Sequence, residues 1–97
     1  MEIEICCGSI RSAINAKAAG ATRIELCQNL NEGGTTPSYA TIRQCVEDLR
    51  LDVYVLVRPR PGGFVYNDWE IANMLEDVRV CGEIGVAGIV VGFLRGD

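Results

Sequence analysis

Cys6 and Cys27 are the two side chains in this sequence best spaced to share one ligand. Each closes a segment that alternates charged and apolar residues, Glu2–Cys6 and Thr22–Cys27, a period-two pattern that predicts a strand. Paired parallel strands lie about 4.8 Å apart, so thiols at matching heights could hold one ion between them. The chain has no histidine, and two thiolates without an imidazole suit a soft ion such as Cu(I). A plainer part also fits, because cysteine packs readily as a small buried hydrophobe. Cys7 faces the other way along its strand, while Cys45 and Cys81 fall in predicted helices; all three read as packing.

Glu4, Glu25 and Arg58 share strand parity with those cysteines. Charges in a sheet-lined interior are costly unless paired, so Glu–Arg pairing is expected. The same groups could bind a small anionic substrate and move a proton. Arg58 and Arg60 would then hold the anion, and Glu25 or Glu4 would act as catalytic acid or base. Arg23 has the same parity but sits at the strand start, at the far end from such a site, and reads as structural.

Two glycine loops complete the set: Glu32-Gly33-Gly34-Thr35-Thr36 and Arg60-Pro61-Gly62-Gly63. Each comes just before a predicted helix, where free backbone N–H groups can hold a phosphate or carboxylate. Glu32, Gly33 and Gly34 are therefore candidate substrate contacts beside Arg58 and Arg60. Turn geometry explains the glycines equally well. Neither loop is a Walker A or GxGxxG sequence, and no organic cofactor is indicated. Phe64, Tyr66 and Trp69 follow the second loop and either wall a pocket or pack at a helix start.

These residues need a scaffold, and the pattern supplies one. After the strand Glu2–Cys6, Ser9 can cap a helix from Ile10 to Ala19, with Gly20 ending it in the left-handed conformation. Thr22–Cys27 is the second strand. Residues 28–36 form a loop, Thr36 caps and Pro37 opens a helix that runs to about Leu49. Leu51–Val57 is the third strand, stopped by Arg58-Pro59-Arg60-Pro61-Gly62-Gly63. Asn67 with Glu70 forms a near capping box for a third helix ending at about Ile84, before Gly85. Gly88–Leu94 is the fourth strand, and Arg95-Gly96-Asp97 begins another loop.

The order βαβαβαβ predicts an α/β fold of parallel strands joined by right-handed crossovers. An open doubly wound sheet buries both faces, and its strands read as continuous apolar runs. Here Ile3/Ile5, Ile24/Leu26 and Val53/Val55/Val57 make one apolar face, while the opposite face carries charges. That asymmetry favours the first half of a (β/α)8 TIM barrel, with residues 1–97 as a single incomplete barrel domain.

Composition bounds the function. The chain has 97 residues, 48% of them hydrophobic, so it is globular rather than disordered. A net charge of −4 argues against nucleic acid as a partner, which calls for a basic face. No apolar run is long enough to span a membrane. Met1 leads straight into Glu2-Ile3-Glu4 without a signal pattern, so the cytosol is the default. Five cysteines in that setting read as free thiols. The lack of CxxC pairs and of histidine removes the usual zinc patterns and histidine-based catalysis.

The stretches IEIC at 3–6, RIELC at 23–27, EGGTTPS at 32–38, VRPRPGGFVY at 57–66 and MLEDVR at 74–79, with GIVVG after them, resemble the CutC copper homeostasis family. The resemblance runs from about residue 2 to 96, in the family's order and spacing. It implies a TIM barrel, a cytosolic protein and a role in copper handling. It also implies Cys6 and Cys27 as Cu(I) ligands, while the shared polar residues Glu4, Glu25, Glu32, Arg58 and Arg60 look more like an enzyme's site. Family members are about twice this length or more. The chain is therefore expected to be a fragment, and its open strand edges and uncovered inner face to make it a homo-oligomer.

Overall fold

The computed structural model describes residues 3–92. Strand β1 is Glu4–Cys7, helix α1 Ile10–Ala18, strand β2 Arg23–Leu26. A 3-10 turn follows at Leu30–Glu32. Helix α2 runs over Tyr39–Arg43 and continues as one wide π turn, Gln44–Asp48. Strand β3 is Asp52–Leu56, helix α3 Asp68–Ile84 and strand β4 Gly88–Val90. The predicted Leu94 end of the last strand and the Arg95-Gly96-Asp97 loop lie outside the described residues.

The strands pair in parallel and in chain order, β1-β2-β3-β4. A doubly wound sheet would reverse direction at a switch point. Right-handed crossovers taken always in one direction put every helix on one face, which is the arrangement of half a (β/α)8 barrel.

The period-two reading of the strands predicts which residues enter the core. Ile24, Leu26, Val53 and Val55 are fully buried, with Val57 close to it, and Ala13, Ala16, Ile42, Cys45, Met74 and Cys81 pack onto them from the helices. Cys7 joins this layer. The other face carries Glu4, Cys6, Arg23, Glu25, Tyr54 and Leu56, all partly or largely exposed. Pairing register follows from the apolar face: Ile5 meets Ile24 and Cys7 meets Leu26 in the core. On the inner face this aligns Cys6 with Glu25, Glu25 with Tyr54, and Tyr54 with Gly88. A Cβ at Gly88 would meet the Tyr54 ring at 2.6 Å, so glycine is what lets that ring lie across β4.

Helix ends follow local chemistry. Ser9 accepts from Ser12 N–H, and Gly85 closes α3 at φ +95°. Asn67 and Glu70 make a full capping box. The start of α2 differs from expectation: the cap is Ser38, whose side chain accepts from Thr41 N–H, not Thr36. Thr36 is taken by a longer-range partner. Its N–H donates to Arg58 O at 3.0 Å, and its hydroxyl accepts from Arg58 N–H at 2.9 Å.

Candidate functional site

Apart from Glu4, which begins β1, the predicted residues lie toward one rim of the sheet, but in groups that differ from the sequence pattern. Cys6 is exposed on the inner face, whereas Cys27 is only 3% exposed. Cys27 follows β2, with its N–H on Cys7 O at 3.0 Å and its thiol 3.7 Å from the same oxygen. The thiols are staggered rather than level, since Cys6 pairs in register with Glu25. They are still neighbours. Burial pushes the Cys27 thiol up to about 11, and the Cys6 thiol beside it adds to the shift as a charge and as a hydrogen-bond partner, followed by Glu25 and Cys7.

This donor set suits a soft monovalent ion. Two adjacent sulfurs can satisfy such an ion without a third ligand, and no group of three or more potential ligands occurs among the described residues. Its cost is the proton on Cys27, which an arriving cation must displace.

The Glu–Arg pairing occurs with a different arginine from the one expected. Glu4 binds Arg23 Nε at 2.7 Å, at the strand-start end of the sheet. Arg23 also lies over the Tyr54 ring, 5.2 Å from its centroid. Arg58 falls two residues past the end of β3, so its side chain runs into the loops instead of over the sheet. It is 7% exposed. Nη1 donates to Glu32 O and to Gly34 O, both at 2.9 Å, and Nη2 donates to Gly62 O at 2.7 Å. Its guanidinium stacks on Phe64 at 4.9 Å. One side chain thus ties the loop after β2 to the loop after β3. Its Nε is buried with no acceptor among the described residues, and the Tyr66 hydroxyl is likewise buried with no partner among them.

Arg60 is engaged as well. Nε binds Glu70 Oε2 at 2.6 Å, Nη2 donates to Val65 O at 2.7 Å, and Nη1 donates to Gly63 O. Its guanidinium lies 4.8 Å from the Tyr66 centroid. Hydrogen bonds from Arg60 and from the Asn67 N–H hold the Glu70 carboxyl below its usual range. Glu25 stays on the inner face between Cys6 and Tyr54. Glu32 is exposed and contributes its carbonyl to Arg58. Gly33 and Gly34 both have left-handed φ, +85° and +91°.

Thr36 and Glu70 are the site-shaping residues that sequence reasoning missed. The capping box exposed Glu70 as a helix-start residue, but nothing local marks its arginine partner. Beside Arg60, a cleft of about 310 Å³ opens between Pro59, Asn67, Trp69, Glu70 and Asn73. An apolar groove of about 220 Å³ runs between α3 and the β4 edge, lined by Val57, Ile71, Met74, Leu75, Val78 and Val91.

Comparison with known proteins gives one consistent likeness. The model of the CutC family matches residues 1–97. A CutC family protein of Chromobacterium violaceum is 45% identical over 95 residues, covering 98% of this chain and 38% of that protein. One from Parabacteroides distasonis is 46% identical over 96 residues, covering 98% of this chain and 40% of its own length. The crystal structure of CutC from Streptococcus agalactiae, described provisionally as a copper homeostasis protein, superposes with a TM-score of 0.89 at 37% identity, over 99% of this chain and 48% of that one. The chain thus spans about two fifths of the curated relatives it matches.

Proposed function

This chain belongs to the CutC family, and from that premise we propose that it serves copper homeostasis in the cytosol by binding one Cu(I) between Cys6 and Cys27. The observation that carries this reading is the placement of two thiols on neighbouring strand ends, at the close of β1 and just past β2, one exposed and one buried. The exposed Cys6 makes first contact, and Cys27 completes a two-sulfur site as its proton leaves. A soft ion prefers two thiolates to the oxygen ligands of water or carboxylates, which gives selectivity without a large cage. The test is an anaerobic Cu(I) competition titration on the reduced chain beside the Cys6→Ser/Cys27→Ser variant. One equivalent bound tightly and lost in the variant supports the site. Equal or weak binding in both assigns the cysteines to packing.

A second reading, an enzyme acting on a small anionic substrate, has one observation in its favour. Among the described residues Arg58 is a buried cation without a carboxylate partner, and its Nε has no acceptor there. On this reading Arg58 and Arg60 hold the anion, the Glu32-Gly33-Gly34 turn lines it, and Glu25 or Glu4 moves the proton. The relatives are more than twice as long, so the full reaction would draw on further residues and these 97 alone would be inactive. Arg58→Ala separates the two readings: it removes anion binding but keeps both thiols.

The partner we propose besides the ion is a second copy of the chain. The sheet leaves β1 and β4 as edges, and the apolar α3 groove lies beside the β4 edge.

A further inference from the structure

Cys27 directly follows β2, near the exposed Cys6, yet it is buried. The loop after β2 provides the cover. A Cβ placed on Gly34 would lie 3.6 Å from the Cys27 sulfur and 2.8 Å from Leu56 Cδ2. The Gly34 turn therefore lies over the thiol with room for no side chain between them, and no larger residue fits there without displacing Leu56.

The loop is held at two points. Its base is closed by a backbone bridge, with Gln28 N–H on Thr35 O at 3.0 Å and Thr35 N–H on Gln28 O at 2.7 Å. Its tip is held from the neighbouring loop by Arg58 Nη1, which donates to the carbonyls of Glu32 and Gly34 on either side of Gly33. Arg58 is itself fixed by the Thr36 bridge, by Gly62 O and by the Phe64 ring. Among the described residues its side-chain acceptors are neutral carbonyls, so the clamp is made there of separate hydrogen bonds rather than an ion pair.

We propose that Arg58 is a positioning residue: it holds the Gly33–Gly34 turn down on Cys27 and so governs how readily the buried thiol meets a soft cation or an electrophile. Its bearing on ion entry rests on the reading of Cys27 as a ligand; the cover itself does not. Arg58 touches neither sulfur. It acts through Gly34, and loosening it uncovers Cys27 without altering the thiols beneath the helices. Cys45 and Cys81 are buried at 0% and 1% exposure in the helix layer and serve as internal references.

The test is the rate of iodoacetamide labelling at each cysteine of the reduced 97-residue chain, resolved by peptide mass spectrometry. It is run on the native protein and on Arg58→Met and Arg58→Lys. In Arg58→Met, Cys27 should label at least about tenfold faster, as expected from the loss of charge-assisted hydrogen bonds that hold a local closure. Arg58→Lys, which keeps the charge but not the fork that reaches both loops, should fall between native and Arg58→Met. Cys45 and Cys81 should keep their native rates. If Arg58→Met unfolds, all three cysteines accelerate together in it, and Arg58→Lys decides. A native rate at Cys27 in Arg58→Lys, or a rise there matched at Cys45 and Cys81, overturns the proposal. No copper is needed, so a chain that fails to bind Cu(I) leaves this result standing. Conversely, tight Cu(I) binding with an unchanged labelling pattern sinks the clamp and keeps the ion site.

Discussion

Cys6 stands opposite Glu25, not opposite Cys27, in the pairing of β1 with β2. The two cysteines therefore lie on a diagonal across adjacent strand ends, Cys6 on the exposed face and Cys27 beneath the Gly34 turn. A shared ion would need both. Loss of a partner that merely supports a metal ligand costs about 10–100-fold in affinity, so loss of either ligand should exceed about a hundredfold. Cys6→Ser and Cys27→Ser, tested singly in the Cu(I) competition titration, should each reach that loss. A single variant that binds as tightly as the native chain removes its cysteine from the site.

Stability should fall in alkali. Burial is the leading cause that lifts the Cys27 and Cys45 thiols to about 11 from an ordinary 9.0, and it raises Cys7 and Cys81 as well. The folded chain thus keeps protons that the unfolded chain releases. The resulting stability is fully present below pH 9 and drains away as pH rises through 11. Urea midpoints measured under argon should be level from pH 7 to 8.5 and drop between pH 9 and 11. A midpoint that stays level across that range would contradict the buried-thiol account.

Two glycine substitutions should diverge. Gly34 has φ +91°, and an added Cβ meets Leu56 at 2.8 Å, so Gly34→Ala should cost about 1–3 kcal/mol. Gly63 has ordinary φ and nothing within 4 Å of an added Cβ, so Gly63→Ala should stay within about 0.5 kcal/mol of native. Chemical denaturation of the pair decides it; equal costs would show that the turn over Cys27 is not tightly packed.

The capping box at α3 makes a second contrast. Asn67 Oδ1 accepts from Glu70 N–H at 2.8 Å, and Asn67→Ala should cost about 1 kcal/mol. Glu76, which pairs with Arg79 on the exposed face of the same helix, should cost less when changed to alanine. Thermal melts at low and high salt would also separate them, since only the second effect is screened.

Self-association should depend on the α3 groove. Leu75 is 65% exposed on it and Val78 lies beside it. Light scattering at micromolar concentration should give a mass above one chain, and Leu75→Lys/Val78→Lys should return it to one. A native chain that scatters as a monomer ends the idea.

What the sequence determined by itself was local and periodic. Alternation along the strands put Ile24, Leu26, Val53 and Val55 on one face, because successive residues in a strand point to opposite sides. Ser9, Asn67 and Gly85 marked helix ends, because capping uses groups within one turn. The family blocks, with the fold they imply, were legible for the same reason, as they are contiguous. Tertiary structure alone decided the partners. Glu4 took Arg23 because register places them side by side, and register answers to core packing. Arg58 left the inner face for carbonyls up to 26 residues away, and Thr36 gave up a helix cap to hold its backbone. Such contacts carry no period and no fixed spacing. They arise only when two loops, each ordinary by itself, are brought to the same end of the sheet.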